Sequence, residues 1–181
     1  MQRKSIYQYA AEAGVPAGLY LTLMSACLLC SIKLPSLPIL LIPLAIGFPF
    51  LLWFLMKRIA RSEPSYYKFS SLWLGGLYTV IFGTMIALFL SGLYIVFVEP
   101  GFVYLYINNA LEAVETSPMA DQYTTSIKLM REAVDAHLLP SGLEFLTTMA
   151  WFTCFAGSIL SLFLALLMRN CSRKITNQFP I

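Results

Sequence analysis

The sequence has little charge. Asp, Glu, Lys and Arg make up 12% of its 181 residues, about half the share found in soluble domains, whereas hydrophobic residues make up 59%. No charged residue and no histidine occurs within 13–32, 36–56, 70–98 or 145–168. Each stretch is long enough to cross a bilayer as a helix, which takes about 20 residues. The scarcity of charge therefore argues against a soluble domain and predicts an all-α integral membrane four-helix bundle.

The lack of ionisable residues inside these stretches also narrows the function. Ion-coupled transporters and proton pumps place such residues in the membrane, where they act as relays or counter-ions. Their absence argues against a secondary transporter, although a passive or lipid-scrambling conduit would not need them. The net charge of +3 is too small and too scattered to indicate a nucleic-acid partner.

Histidine is almost absent, since His137 is the only one. A catalytic zinc site typically uses three protein ligands that include histidine, and no His-x-x-x-His or similar spacing occurs. Glu132, Asp135 and Glu144 lie near His137 in sequence, but its position at the edge of an apolar stripe favours a helix-end role. We therefore predict no metal site, no cofactor, no catalytic residue and no enzymatic activity.

Cysteine is also scarce, because four residues in apolar settings are too few for a disulfide scaffold. Cys27 and Cys30 stand one helical turn apart, whereas redox Cys-x-x-Cys pairs normally sit at exposed helix starts. Cys27 also follows Met24-Ser25-Ala26, a loose match to a lipoprotein signal. The apolar run continues to Ile32, past the point where a cleaved signal would end, so we expect this segment to remain as the first span.

The basic residues predict the topology. Nine of the twelve lie before span one, between spans two and three, or after span four, and this alternation predicts that both termini are cytoplasmic. The nine are Arg3, Lys4, Lys57, Arg58, Arg61, Lys68, Arg169, Arg173 and Lys174, and the other three are Lys33, Lys128 and Arg131. We predict a single multi-pass domain over 1–181, with an extracytoplasmic segment over about 99–142.

The long third span ends at Glu99-Pro100-Gly101, amid aromatic residues that are typical of a membrane interface. Proline removes a backbone donor and glycine permits a bend, so the chain is expected to leave the span here. A second helix is predicted to begin at Ser117-Pro118, and the capping box Ser141–Glu144 to open span four.

The segment between spans three and four is predicted to be a pair of amphipathic helices. The apolar stripes supply the candidate interface residues, which are Val103, Ile107, Leu111, Tyr123, Ile127, Met130 and Val134. One interpretation is that the stripes pack on each other and on the ends of the bundle. The other is that a stripe lies in the headgroup layer or docks a partner helix.

Small residues recur every four positions on two spans, which lets helices approach closely in lipid. The candidate helix-packing residues are Gly83, Ala87 and Ser91 on span three, and Gly157, Ser161 and Ala165 on span four. Within span two, Pro43 and Pro49 must each interrupt a backbone hydrogen bond and are predicted to bend the helix. Such a bend could open a groove for lipid or a partner, or could serve shape alone.

Three short motifs resemble a bacterial family of four-span membrane proteins catalogued as domain-of-unknown-function family 4199. They are "AGLYLTL" at 17–23, "YKFSSLWLGG" at 67–76 and "YIVFVEPGF" at 94–102. The resemblance implies a Gram-negative inner-membrane protein with periplasmic amphipathic helices. It also implies an accessory or anchoring role for a membrane glycosyltransferase, because such proteins are associated with polyprenyl-phosphate glycosyltransferases.

Two functional hypotheses follow. The first is a non-enzymatic accessory or scaffold subunit that acts through the outer helices or the small-residue faces, and it rests on the charge-free spans. The second is a small lipid or solute conduit that uses the proline-bent second span as one wall of a groove.

Overall fold

The computed structural model describes residues 5–32, 36–62, 68–116, 124–136 and 138–178, with side chains to Arg169 except that of Ile32. Within these ranges the secondary structure is entirely helical. The α-helices are α1 (Ile6–Leu29), α2 (Pro38–Ser62), α3 (Phe69–Phe97), α4 (Phe102–Glu115), α5 (Thr124–Asp135) and α6 (Gly142–Gln178), and a single 3₁₀ turn at Cys30–Ile32 follows α1. The predictions made for Ser117-Pro118, Tyr123 and His137 fall outside the described residues.

Four helices are long and apolar enough to span a membrane: α1, α2, α3 and the Gly142–Arg169 part of α6. The prediction of an all-α, four-span protein is therefore confirmed. The helices extend past the predicted spans at the start of α1, the end of α2 and both ends of α6, because a helix can continue past the hydrocarbon into water. The 29 residues of α3 would extend over roughly 43 Å, against about 30 Å of hydrocarbon, so α3 must tilt or protrude.

The helix α3 lies at the centre of the bundle, with α1 and α6 packed along it. It runs parallel to α1, and the two backbones approach where a Cβ added at Gly83 would lie 3.0 Å from the Gly18 nitrogen. It runs antiparallel to α6, and Gly157 of α6 faces Val80 of α3. Small residues allow both approaches, since larger side chains would hold the helices apart.

The helix α2 is buried only along its second half. Its buried residues all lie in its second half and are Leu52, Leu55, Met56, Ile59 and Ala60. None of residues 38–51 is buried, and Phe50 is 73% exposed. The second half of α2 belongs to the end of the bundle where α1 begins, which we call the terminal end. At the opposite end, called here the α4 end, the first half of α2 leaves part of the bundle uncovered.

The chain turns sharply between α3 and α4. The helix α3 ends at Phe97, and α4 begins at Phe102, whose backbone N–H donates to the carbonyl of Glu99 at 3.1 Å. The Phe102 side chain is 1% exposed and packs in a cluster with Leu29, Ile95, Val103 and Leu146. This confirms that Glu99-Pro100-Gly101 interrupts the helix, and it anchors the start of α4 to the bundle.

Candidate functional site

The helices α4 and α5 enclose an apolar groove at the α4 end of the bundle. Its volume is about 420 Å³, large enough to receive several side chains of another molecule. The lining residues are Tyr106, Ile107, Ala110, Leu111, Val114, Ser126, Ile127 and Met130. These residues recur every three or four positions on each helix, so one face of each helix supplies one wall.

The two walls are held together by an ion pair rather than by a buried core. The Arg131 guanidinium donates to both carboxylate oxygens of Glu115, at 2.9 and 3.0 Å. Both side chains are accessible to solvent, and a pair of this kind contributes about 0–1 kcal/mol. The helix α5 has no buried residue, whereas α4 is anchored through Phe102 and Val103. The wall formed by α5 is therefore the weakly held one.

The structure brings four of the predicted interface residues into the groove, namely Ile107, Leu111, Ile127 and Met130. The others lie elsewhere or are undescribed: Val103 is buried in the anchoring cluster, Val134 is half-buried outside the groove lining, and Tyr123 lies outside the described residues.

Tyr106 and Ser126 line the groove although the stripes did not include them. The signal that would have found Tyr106 is its spacing of four from Ala110 and eight from Val114, and Ser126 stands four residues before Met130.

The exposed surfaces of the two helices that form the groove have an acidic excess. On α4 and α5 the charged residues are Glu112, Glu115, Lys128, Arg131, Glu132 and Asp135, all exposed, which is four carboxylates against two cations. An apolar centre with a polar rim is the usual anatomy of a protein–protein interface. The acidic excess favours a basic segment over an anionic lipid surface, because like charges repel.

The two predicted small-residue ridges do not pack against each other. Gly83 meets Ala17 and Gly18 of α1, whereas Ser161 meets Gly76 of α3. The remaining ridge residues are Ala87, Ser91, Gly157 and Ala165, and all four are buried. Each ridge therefore serves a different helix contact within the single chain.

Pro43 and Pro49 lie inside α2, which remains helical through both. Tyr20 of α1 lies beside this part of α2, and its hydroxyl donates to the carbonyl of Leu44 at 2.8 Å. A side chain at Gly47 would collide with that hydroxyl. Tyr20 thus fills the position where a bend in α2 could otherwise leave a gap.

Side chains that could ligate a metal are dispersed across the described ranges, where no three of His, Cys, Asp and Glu lie close enough together to hold an ion. Cys27, Cys30 and Cys154 are free thiols, and Cys27 is buried within α1.

Comparison with protein families matched residues 14–170 to the family described as "Protein of unknown function (DUF4199)". The match covers most of the chain, including all four candidate spans in whole or in large part and both helices of the groove. No curated protein and no solved structure matched the chain.

Proposed function

The chain belongs to the DUF4199 family of proteins of unknown function, and from that premise we propose that it is a non-enzymatic accessory subunit of the bacterial inner membrane. It binds a partner membrane protein through the groove between α4 and α5. The observation that carries this proposal is an apolar groove of about 420 Å³ built from two surface helices, one of which has no buried residue. An exposed apolar surface of this kind is typical of an interaction site.

The groove suits an amphipathic helix. The 14 residues of α4 and the 12 of α5 extend over about 21 and 18 Å, enough to cover about three turns of a bound helix. An apolar stripe on that helix would face Ile107 and Ile127, as in other helix-in-groove complexes. Basic residues flanking the stripe would be attracted by the net negative charge of α4 and α5. We therefore assign the groove to an apolar helical segment with basic flanks.

The topology completes the proposal. The distribution of the basic residues supports cytoplasmic termini, and in this topology α4 and α5 lie on the extracytoplasmic side. A polyprenyl-phosphate glycosyltransferase is the first partner to test, as the family resemblance implies. A fluorescent protein or alkaline phosphatase fused after Gln178 reports on which side of the membrane the C-terminus lies. For a cytoplasmic C-terminus we expect fluorescence from the first fusion and no phosphatase activity from the second.

Site-specific crosslinking tests the groove. Benzoylphenylalanine replaces Met130, which lines the groove, and in a matched control it replaces Leu129, which is 63% exposed on the same helix. Irradiation of intact cells should give one protein adduct at position 130, with the crosslink mapped to an amphipathic segment with basic flanks. The same adduct should be lost when Leu111→Glu places a charge in the groove.

Three results would overturn the proposal. One is an adduct with lipid alone, which would assign the groove to the membrane surface. Another is an adduct with a second copy of the chain. The last is equal labelling at positions 129 and 130, which would mean that the groove does not select its contacts.

A further inference from the structure

The hydroxyls of Thr84 and Ser91 are buried without a hydrogen-bond partner in the part of the chain that the structure describes. Thr84 is 5% exposed and Ser91 is 3% exposed, and both lie on α3 inside the bundle. Other bundle hydroxyls donate to a carbonyl of their own helix, as Thr22 does to Gly18 and Thr79 to Gly75, each at 2.8 Å. An unmet hydroxyl is unfavourable in a membrane, where no bulk water can replace the missing partner.

Both of these hydroxyls line the same cavity. It lies where α1 and α6 pass over α3, has a volume of about 50 Å³, and is also lined by Ser25 and Thr153. A cavity can hold a water molecule when it offers about 10–15 Å³ or more of accessible volume and two to four polar partners. This cavity meets both conditions, with four hydroxyl-bearing residues around it.

A second cavity lies nearer the α4 end than the first. Ser91 lines both cavities, and the second, of about 180 Å³, extends along Thr22 and Cys30 to Tyr94. The hydroxyl of Tyr94 donates to the Glu99 carboxylate at 3.3 Å, just beyond the end of α3. Polar side chains thus recur among apolar ones from the end of α3 to Thr84, over a rise of about 20 Å along the helix.

Beyond Thr84 the bundle is closed. One turn further along α3, Val80 packs against Gly157 of α6. One turn beyond that, Gly76 packs against Ser161, with the Met56 sulfur 2.9 Å from where its Cβ would lie. Met56 belongs to the second half of α2, which holds all of that helix's buried residues, whereas none of residues 38–51 is buried. The series of polar side chains therefore ends at Thr84, close to the middle of α3, where close packing closes the bundle.

We propose that the two cavities connect beside Ser91 and form a water inlet, which opens at the α4 end and is closed beyond Thr84. Water molecules in the inlet form hydrogen bonds with the hydroxyls of Thr84 and Ser91. They thus replace the hydrogen-bond partners that these two hydroxyls lack among the described residues. The inlet is separate from the groove between α4 and α5, so either proposal can fail without the other.

Thiol accessibility in membranes tests the inlet. The four cysteines, Cys27, Cys30, Cys154 and Cys171, are first replaced by alanine. Single cysteines then replace Ser91 and, as a control at nearly the same depth, Phe89, which is 67% exposed on the outer face of α3. A charged methanethiosulfonate should modify S91C at least about tenfold faster than F89C, because the reactive thiolate forms in water and not in lipid.

A second pair of single-cysteine variants, T84C and M85C, tests the depth of the inlet. M85C is the control, because Met85 is 62% exposed on the outer face of α3. We expect the thiol at 84 to react more slowly than that at 91 but faster than that at 85. Equal or slower reaction at 91 than at 89 would overturn the proposal. Should both substituted proteins fail to fold, the native Cys30, which lines the second cavity, serves as the reporter when the other three cysteines are replaced. Protection of Cys30 from the reagent would then overturn the proposal in the same way.

Discussion

Gly83 of α3 and Gly18 of α1 bring two helix backbones into direct contact. A Cβ at Gly83 would lie 3.0 Å from the Gly18 nitrogen and 3.1 Å from the Ala17 Cβ. Backbone atoms cannot turn aside as a long side chain can, so even one added methyl group must push the helices apart. The contact between α1 and α3 is therefore sensitive to an increase in side-chain size at Gly83.

We expect Gly83→Ala to destabilise the bundle by about 1–3 kcal/mol, the usual cost of overpacking. Gly92→Ala on the same helix is the control, because a Cβ there would meet only Leu143 at an ordinary 3.7 Å. The control should be neutral or stabilising by up to about 1 kcal/mol, since alanine favours the helix. Unfolding in detergent measures both, and equal stabilities of the two variants would show that the contact is not tight.

Reversing the charge of Arg131 should displace α5. Arg131→Glu places a second carboxylate beside Glu115, and like charges repel. The distance between spin labels at Ala113 and Ala136 should then broaden, while the stability of the bundle changes by about 1 kcal/mol or less because the pair is exposed. Combining it with Glu115→Arg restores the opposite charges and should restore the narrow distance. A narrow distribution in the single variant would mean that the ion pair does not hold α5.

Replacing Thr84 by valine distinguishes a wet cavity from a dry one. If the cavity is dry, removing an unmet hydroxyl should stabilise the protein by about 1–3 kcal/mol. Because we place water there, we expect Thr84→Val to cost about 0.5–1.5 kcal/mol instead. Thr79→Val, which removes a hydroxyl already bonded to Gly75, gives the comparison value in the same unfolding measurement. A gain in stability for Thr84→Val would contradict the water inlet.

Tyr20 should stabilise the contact between α1 and α2 in two separable ways. Tyr20→Phe removes the hydrogen bond to Leu44 and should cost about 0.5–1.5 kcal/mol. Tyr20→Ala also removes the ring that packs on Phe48, and should cost about 3–5 kcal/mol, as for other large-to-small changes. Thermal unfolding of both variants measures the difference. If the two costs are equal, the ring contributes nothing to holding α2.

The parts of this fold that depend on local sequence could be predicted. Four charge-free stretches predict the spans, and the Glu99-Pro100-Gly101 sequence predicts the helix break, because proline and glycine act on their own backbone. The capping box is confirmed by the bonds between Ser141 and Glu144, at 2.8 and 3.3 Å. Ile107 and Ile127 share the groove because both follow regular stripes on amphipathic helices.

The contacts between the spans could not be predicted in the same way. The helix α3 is apolar on every side, so periodicity does not show which face meets which neighbour. The sequence identified Gly83 and Gly157 as small, but not that they contact α1 and Val80 respectively. The pairing of Tyr20 with Leu44, and the absence of partners for Thr84 among the described residues, depend on residues distant in sequence. Such relationships arise only when the helices are assembled.

The helix α5 has no buried residue. In the proposed function, substitutions along it would consequently change the partner that is bound, with little effect on the folding of the four spans. Close-packed positions such as Gly83 do not tolerate substitution in this way, because a larger side chain there would separate the helices. Partner choice can therefore diversify among related proteins while the membrane-embedded framework stays fixed.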